Sequence, residues 1–275
     1  MEPTPIQLEK LKQVELAMLV NFIEVCTKLN LKYYLLGGTL LGAVRHNGFI
    51  PWDDDIDVGM PRKDYDIFMS EGQALLDKGL FLQNIDTDKE YYLNFAKIRN
   101  SKTTFVELSY KNHKINHGVY IDIFPLDYFP DDEKERKAFR RKNSIYNLRI
   151  AAEFYLPNTK TFKFRVATSL LKIFFPSAKK ISKKREQLFK SVAKSSQLAN
   201  YCGAWGAREI VPEEWYGEGV ELSFEGIKVN TPKEYDKWLT QVYGDYMQLP
   251  PVEKRKGHHF TEIVDLEKSY HEYMR

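Results

Sequence analysis

Residues 35–59 read LLGGTLLGAVRHNGFIPWDDDIDVG, and this stretch decides the fold that the sequence predicts. A short apolar strand leads into Gly37 and Gly38, which turn the chain. Thr39 is placed to cap a short helix that extends to about Arg45. Glycine lets a ligand approach the backbone, and a helix N-terminus presents free N–H groups. Gly37, Gly38 and Thr39 are therefore candidate phosphate-binding residues.

Two carboxylates follow on the next predicted strand, Asp55 to Met60. The two-residue repeat of a strand places Asp55 and Asp57 on one face, and carboxylates held so close repel each other unless a cation lies between them. Oxygen ligands of this kind suit Mg²⁺, and Mn²⁺ is the alternative. Asp122 lies alone in the apolar strand 119–124 and needs a partner there. We therefore predict that Asp55, Asp57 and Asp122 bind the metal and carry the catalysis.

Each of these features also has an ordinary structural explanation. An acidic run can be a solvated loop or a calcium-binding turn, most Gly-Gly turns are only turns, and a lone Asp in a strand is often an edge residue. The order and spacing of the features together favour an active site. Within the acidic run, Asp53 could support the metal site, whereas the two-residue repeat predicts that Asp54 points away.

The rest of the chain alternates helical and extended patterns, which indicates an α+β fold. The predicted helices are 6–29, 63–76 and 232–243, and the chain is helical and basic from about 133 to 200. The other predicted strands are 32–36, 80–84, 93–107 with a turn near Asn100, and 119–124, which Pro125 and Pro130 end. Residues 201–231 are rich in glycine and aromatic residues and are predicted to be irregular.

The charge of the chain is unevenly divided. Residues 134–190 contain 17 Lys and Arg against 3 Asp and Glu, a formal charge of +14; because the whole chain carries +3, the remainder carries −11. We predict a catalytic core in 1–130, a basic helical subdomain in 131–200 and a C-terminal segment in 201–275 that completes the active site. Nucleic acid is not an expected partner, because no recognition motif accompanies the basic charge.

Composition restricts the class of protein. An apolar fraction of 43% can fill a core, which excludes a fully disordered chain. Cys26 and Cys202 lie far apart and form no CxxC pair, which suits a reducing compartment. We see no signal-peptide pattern at the N-terminus and no run of the roughly 18 apolar residues that span a bilayer. These features predict a cytoplasmic protein, with a peripheral place on the inner face of the cytoplasmic membrane as an extension.

The opening stretch resembles the LicD family of phosphocholine transferases and, more distantly, the fukutin group. Two further blocks carry the resemblance: GVYIDIFPLD at 118–127, and YGDYM at 243–247 followed by LPP at 249–251. The resemblance spans about residues 10–260. It implies a nucleotidyltransferase-like mixed sheet core flanked by helices, with a basic helical insertion, in which the three predicted aspartates bind the metal.

The resemblance also implies transfer of phosphocholine from CDP-choline to a sugar hydroxyl of a cell-surface glycan precursor, of the teichoic acid or lipopolysaccharide type, with release of CMP. The acceptor would be a lipid-linked or polymeric glycan. One alternative is transfer of another CDP-activated alditol phosphate, such as the ribitol phosphate of the fukutin group. A second is nucleotidyl transfer to a small molecule or protein, and a third is a non-catalytic, glycan-binding membrane scaffold.

Basic side chains near these motifs are candidates for phosphate binding. Lys97 and Arg99 lie two apart in a predicted strand, so that both could reach phosphate or both could lie on a solvated face. Arg45 could bind phosphate or pair with the acidic run. His258 and His259 could contact acceptor or phosphate, and a second metal site is less favoured because adjacent histidines rarely share one metal.

Choline is a quaternary ammonium, and aromatic faces bind such groups. Four aromatic residues are candidates for a choline site: Trp52, Trp205, Trp215 and Tyr216. Core packing is the alternative use of each.

The segment 162–175, which reads FKFRVATSLLKIFF, is too short to span a bilayer but is aromatic and amphipathic. It could lie on an anionic membrane surface, or its apolar residues could form the core of the basic subdomain. A lipid-linked acceptor favours the membrane surface.

Overall fold

The fold was obtained as a computed structural model, which describes residues 4–154, 162–257 and 259–274. It confirms an α+β fold with a mixed sheet. In these ranges the helices are α1 (Pro5–Leu29), α2 (Gly37–His46), α3 (Arg62–Glu71), α4 (Glu133–Ala151), α5 (Phe162–Phe174), α6 (Ala178–Lys190) and α7 (Tyr235–Tyr243). The strands are β1 (Tyr34–Leu35), β2 (Asp57–Pro61), β3 (Leu80–Gln83), β4 (Ala96–Asn100), β5 (Thr104–Glu107), β6 (Val119–Tyr128), β7 (Gln197–Ala199), β8 (Ile210–Pro212), β9 (Val220–Phe224), β10 (Ile227–Thr231) and β11 (Thr261–Asp265). None of the described helices is both long enough and apolar enough to cross a bilayer.

The central sheet has the strand order β1-β2-β6-β4-β3, and β7 and β8 extend it beside the end of β6. Strands β2 and β6 are parallel, whereas the other pairs are antiparallel. Strand β6 is the centre of this sheet, with nine of its ten residues buried. Two small antiparallel pairs, β9–β10 and β5–β11, lie outside the sheet.

The long helix α1 covers β6 and confirms the helix predicted over 6–29. It begins with a capping box, in which the Thr4 hydroxyl accepts from the Gln7 N–H and the Gln7 side chain accepts from the Thr4 N–H. It ends at Asn30, which takes the left-handed conformation at φ +53°. Its buried apolar face consists of Leu11, Met18, Leu19, Phe22, Val25 and Cys26. The helix therefore follows from its own spacing and caps.

Thr39 does not cap α2, so that prediction is wrong. The helix begins at Gly37 with Leu36 as its N-cap residue, and Thr39 lies inside the first turn. Its hydroxyl accepts a hydrogen bond of 2.8 Å from the backbone N–H of Asp57. Thr39 thus joins α2 to the start of β2, a contact that local sequence does not indicate.

Two strand boundaries also differ from prediction. Strand β2 begins at Asp57, so Asp55 precedes the strand and the two-residue repeat does not relate these two aspartates. Strand β6 passes through Pro125 to Tyr128 instead of ending at Phe124. The antiparallel neighbour β4 already stops opposite Ile123, so the missing N–H of Pro125 breaks no ladder on that side.

Residues 201–231 are more regular than predicted. They contain β8 and the hairpin β9–β10, which turns through Glu225 at φ +50° and Gly226 at φ +79°. Strand β11 was not predicted, and it pairs with β5, more than 150 residues earlier in the chain. By contrast, α7 and its end at Gly244, at φ +77°, confirm the predicted helix. Short strands are missed because their stability comes from distant partners.

The basic middle of the chain is helical as predicted, in α4, α5 and α6, although 155–161 lie outside the described ranges. The prediction of helix to about residue 200 is wrong at its end, because α6 stops at Lys190 and Gln197–Ala199 form β7, which pairs with β6. A small separate core joins α4 and α6 to the sheet through Phe129, Phe139, Phe189 and Ala199. Arg62 of α3 adds a polar connection, because it binds both oxygens of Asp127 on β6, at 2.7 and 2.6 Å, and Glu186 on α6, at 2.5 Å. The division into three regions stays a prediction.

We expect Arg62→Met to lower the free energy of unfolding by about 3–5 kcal/mol, because it leaves the Asp127 carboxylate buried without its partner. The Asp127 side chain is only 3% exposed. Arg62→Lys should cost less, since one ammonium can still pair. Urea unfolding measures both changes.

The matched control is Lys137→Met, which removes an ion pair with Glu133 between side chains that are 77% and 68% exposed. This change should stay within about 0.5 kcal/mol. Equal losses for Arg62→Met and Lys137→Met would contradict a structural role for the buried pair.

Candidate active site

The parallel pairing of β2 and β6 brings two of the predicted aspartates side by side. Asp57 and Asp122 are direct register partners, and the Asp122 N–H donates to the Ile56 carbonyl at 2.8 Å. Adjacent strands lie roughly 5 Å apart. The pairing of the two strands therefore brings these carboxylates together, although they lie 65 residues apart in the sequence.

Gly37 and Gly38 make room for carboxylates. A Cβ atom on Gly37 would lie 2.7 Å from Asp57 Oδ2, and one on Gly38 would lie 2.4 Å from Asp53 Oδ2. Gly37 also has φ +53°, which side chains disfavour. The space that we predicted for phosphate is thus taken up by Asp53 and Asp57, and phosphate binding by the two glycines stays a prediction.

The acidic run forms the densest group of carboxylates. In the described part of the chain, Asp53, Asp54 and Asp55 are the trio whose ligand oxygens lie within 4.8 Å of one another. Asp53 and Asp54 are buried, and Asp55 is partly exposed. Oδ1 of Asp53 is buried and has no hydrogen-bond partner among the described residues. The predicted trio of Asp55, Asp57 and Asp122 therefore shares its surroundings with Asp53 and Asp54.

The carboxylates of this group raise one another's pKa values. Burial raises the pKa of Asp53 well above its usual value, and the neighbouring Asp55 and Asp54 raise it further. Burial likewise raises the pKa of Asp57, followed by the charges of Asp55 and Asp122. Such groups resist ionisation unless a positive charge joins them. A donor set made only of carboxylate oxygens, one of them without a partner, fits a hard divalent cation such as Mg²⁺.

Asp122 is held by a basic residue from the next strand. Lys97 is its register partner on β4, and its Nζ forms an ion pair with Asp122 Oδ1 at 2.9 Å. The same Nζ lies 3.3 Å from the centre of the Tyr120 ring and 3.8 Å from Glu107. Lys97 therefore faces the site, within reach of a group bound beside Asp122.

Arg99 lies one step further into the core. Its side chain is fully buried and donates to Gln83, the Gly118 carbonyl and Glu107, at 2.8 to 3.0 Å. The alternative of a solvated face is wrong for both basic residues, because Lys97 is also buried. The position of Arg99 favours support of Glu107 rather than contact with substrate.

His259 connects the C-terminal segment to the acidic run. Its Nδ1 lies 3.2 Å from Asp54 Oδ1, and its Nε2 lies 4.0 Å from Asp55 Oδ2. Burial lowers the pKa of His259, but the hydrogen bond to Asp54 and the charges of Asp55 and Asp54 outweigh it and raise the pKa to about 10. The prediction that Asp54 points away is therefore wrong. His258 lies outside the described ranges.

Two further arginines, Arg45 and Arg255, have their contacts outside the acidic run. Arg45 donates to the Tyr246 carbonyl at 2.7 Å and does not pair with the acidic run. Arg255 lies with its guanidinium 5.4 Å from the centre of the Trp52 ring. Burial lowers the pKa of Arg45, Tyr243 opposes this shift, and the charge of Arg255 adds to it. In the described ranges neither guanidinium forms an ion pair with a carboxylate, so both keep their charge for an anion.

The four aromatic candidates for choline have different surroundings. Trp205 is 41% exposed and meets Tyr243 edge to face, with ring centres 4.8 Å apart. Trp52 carries Arg255 near one face. Trp215 packs partly buried against the main core, and Tyr216 is buried, with its hydroxyl accepting from Trp238. Trp205 is thus the candidate with the most accessible ring.

Several residues at the site were missed from the sequence. Glu15 of α1 is buried, and its pKa is raised well above the usual value by burial and then by Asp55 and Asp54. Burial and the charges of Asp57 and Asp53 raise the pKa of Tyr243, which places it close to the site. Both residues lie in helices whose spacing gives no sign of a site. The sequence signal that could have identified Tyr243 is its place in the third block, YGDYM at 243–247.

We expect Glu107 to stabilise the fold in a pH-dependent way. Burial raises its pKa, but Lys97, Arg99 and His259 outweigh burial and hold the pKa at about 2, below the usual 4.5. The stabilisation is therefore present above pH 4.5 and is lost as pH falls towards 2, by roughly 3 kcal/mol.

Urea unfolding of the wild type and Glu107→Gln across this pH range checks the prediction, because their difference should shrink as pH falls. Glu221→Gln is the control, since its exposed pair with Lys228 should give no such trend. A difference that stays constant down to pH 2 would contradict the assigned pKa.

Comparison with known proteins gives one matching family model and several relatives. The family model described as LicD/FKTN/FKRP, nucleotidyltransferase domain, matches residues 30–168. The chain is 29% identical over 267 residues to the lipopolysaccharide cholinephosphotransferase LicD of Haemophilus influenzae, covering 95% of this chain and 99% of that protein. An uncharacterized protein of Rickettsia prowazekii is 33% identical over 112 residues, which cover 39% of this chain and 37% of that one.

A shorter match connects the chain to the fukutin group. Over 33 residues it is 54% identical to the ribitol 5-phosphate transferase FKRP of Homo sapiens, which is 12% of this chain and 7% of that protein. The family model, by contrast, covers half of the chain, including Asp55, Asp57 and Asp122. The chain belongs to the LicD family.

Proposed function

We propose that this protein transfers phosphocholine from CDP-choline to a sugar hydroxyl of a cell-surface glycan precursor and releases CMP. The full-length similarity to a lipopolysaccharide cholinephosphotransferase supports the transferred group and a glycan acceptor. The observation that carries the chemistry is the group of mutually repelling carboxylates around Asp57. Phosphoryl transfer is the reaction that such a group serves, through a divalent cation.

We assign the cation site to Asp53, Asp55 and Asp57, with Asp122 beside them. The unpartnered Oδ1 of Asp53 and the raised pKa values support this assignment. When bound, Mg²⁺ would offset the negative charge of the diphosphate and of the leaving CMP. The predicted trio thus gains Asp53, which Gly38 admits to the site.

The diphosphate of the donor fits the two arginines. Arg255 lies against Trp52, which directly precedes the acidic run, and the charge of Arg255 acts on Arg45. Two guanidiniums without carboxylate partners repel each other less when a phosphate lies between them. We assign the diphosphate to a position in which it contacts both guanidiniums. This contact would hold the donor with its two phosphorus atoms fixed relative to Asp57.

The acceptor is assigned to the side of Asp122 and Lys97. Asp122 would orient the attacking sugar hydroxyl and receive its proton. The hydroxyl oxygen bonds to the phosphorus that carries choline, the bond from this phosphorus to the bridging oxygen breaks, and CMP leaves. Lys97, fixed 2.9 Å from Asp122, would stabilise the charge that develops on the transferred phosphoryl group.

We expect Asp55→Asn and Asp57→Asn each to lower kcat/KM by at least about 100-fold, because a neutral amide binds a divalent cation poorly. The assay follows CMP release from CDP-choline with Mg²⁺ and a lipid-linked glycan acceptor. EDTA should abolish release by the wild type, and Mn²⁺ should restore it.

Asp86→Asn is the matched control, because Asp86 is an exposed carboxylate outside the acidic group. It should keep wild-type activity. Activity of Asp57→Asn equal to that of Asp86→Asn would refute the assigned site, and pyrophosphate as the product would indicate nucleotidyl transfer instead.

We expect Trp205→Leu to raise the KM for CDP-choline about tenfold with a smaller change in kcat, because the accessible indole is the face assigned to the quaternary ammonium. Initial rates with CDP-choline and with CDP-ethanolamine measure the effect, which should be larger for CDP-choline. Trp215→Leu is the control, as its ring packs against the core. An unchanged KM in Trp205→Leu places choline recognition elsewhere.

Transfer of ribitol phosphate is the second candidate function. The 33-residue match to a ribitol 5-phosphate transferase favours it. Ribitol is neutral and polyhydroxylic, so it needs hydrogen-bonding groups rather than an aromatic face. CDP-ribitol as the better donor, with no effect of Trp205→Leu, would support this candidate.

A further inference from the structure

An exposed apolar stripe runs along helix α5. Val166, Leu170, Ile173 and Phe174 are all exposed, the last two by 72% and 77%. At about 100° per residue, these positions fall within roughly 100° of the helix circumference. Side chains of this size rarely remain in water as a continuous stripe without a partner.

The stripe faces away from the protein. Lys172, on the opposite side of α5, lies 3.1 Å from Glu153, just after α4, and Glu153 also pairs with Arg149 of α4 at 2.6 Å. These contacts fix the side of α5 that carries Lys172 against the end of α4. The apolar stripe is therefore left on the outer surface of the basic helices, where Ile145 and Leu148 of α4 are exposed as well.

The positive charge of the neighbouring sequence favours an anionic partner for the stripe. Residues 134–190 carry a formal charge of +14, and exposed basic side chains such as Lys180 and Lys184 lie on α6, which follows α5. A second copy of this chain would bring a like charge to the same surface and is disfavoured by repulsion. An anionic surface that also accepts apolar side chains complements both features.

We propose that α5, together with the basic helices α4 and α6, docks this protein on the surface of an anionic lipid bilayer. The apolar stripe enters the boundary between headgroups and acyl chains, and the lysines contact the lipid phosphates. The helix lies in the plane of the surface, since no described helix is able to cross a bilayer. Docking requires neither donor nor acceptor, so its test is independent of the proposed reaction.

Vesicle flotation of the full chain tests the proposal. The protein should float with phosphatidylcholine vesicles that contain about one-third phosphatidylglycerol at low salt, and it should float much less with phosphatidylcholine alone or in about 0.5 M NaCl. The double variants Ile173→Ser with Phe174→Ser, and Lys180→Glu with Lys184→Glu, should each lower partitioning at least about tenfold. All four positions are exposed, so the fold should tolerate these changes.

The matched control is Ile6→Ser, which removes an apolar side chain that is 75% exposed on α1, and it should float like the wild type. The proposal is overturned if the wild type stays at the bottom at low salt, or if the Ile173 and Phe174 variant floats unchanged. It is also overturned if that variant converts a dimer to a monomer in light scattering, because the stripe would then bind a second copy.

Discussion

Repulsion between carboxylates that the backbone holds together is the constraint on which this structure depends. Parallel pairing of β2 and β6 sets Asp57 next to Asp122, and the loop before β2 adds Asp53 and Asp55. Folding alone gives no reason to collect these charges, because each raises the pKa of its neighbours. With the proposed cation and a phosphorylated ligand bound, the arrangement would become favourable, although it costs stability in the protein alone.

The surrounding positive charges fall into two classes. Lys97 and Arg99 are buried and bound to Asp122 and Glu107, so they stabilise the site from within the sheet. Arg45 and Arg255 have no carboxylate partners among the described residues. Burial with a fixed carboxylate partner distinguishes the first pair, of which Lys97 also faces the site, from the second pair, which keeps its charge for a ligand.

The same separation extends to the whole chain. The acidic remainder carries −11 and contains the proposed cation site, whereas residues 134–190 carry +14 and include the exposed apolar stripe. Arg62, through Asp127 and Glu186, joins the two parts at a buried contact. Such a division would suit a transferase that acts on an amphiphilic acceptor, because one surface can face lipid while the other binds the phosphate groups of the donor.

The sequence by itself determined the features that depend on neighbours in the chain. Periodicity and caps were sufficient for α1 and α7, the apolar run predicted most of β6, and the family blocks marked Asp55, Asp57 and Asp122. The tertiary structure decided contacts between distant segments: Thr39 with Asp57, Lys97 with Asp122, and Asp54 with His259, 205 residues apart. The local sequence pattern indicates which face of a helix or strand is buried. Which residue that face contacts depends on the order of the strands in the sheet and on the path of the loops. For that reason Asp54 was misjudged, Arg255 was missed, and β11, which follows His259, was not predicted.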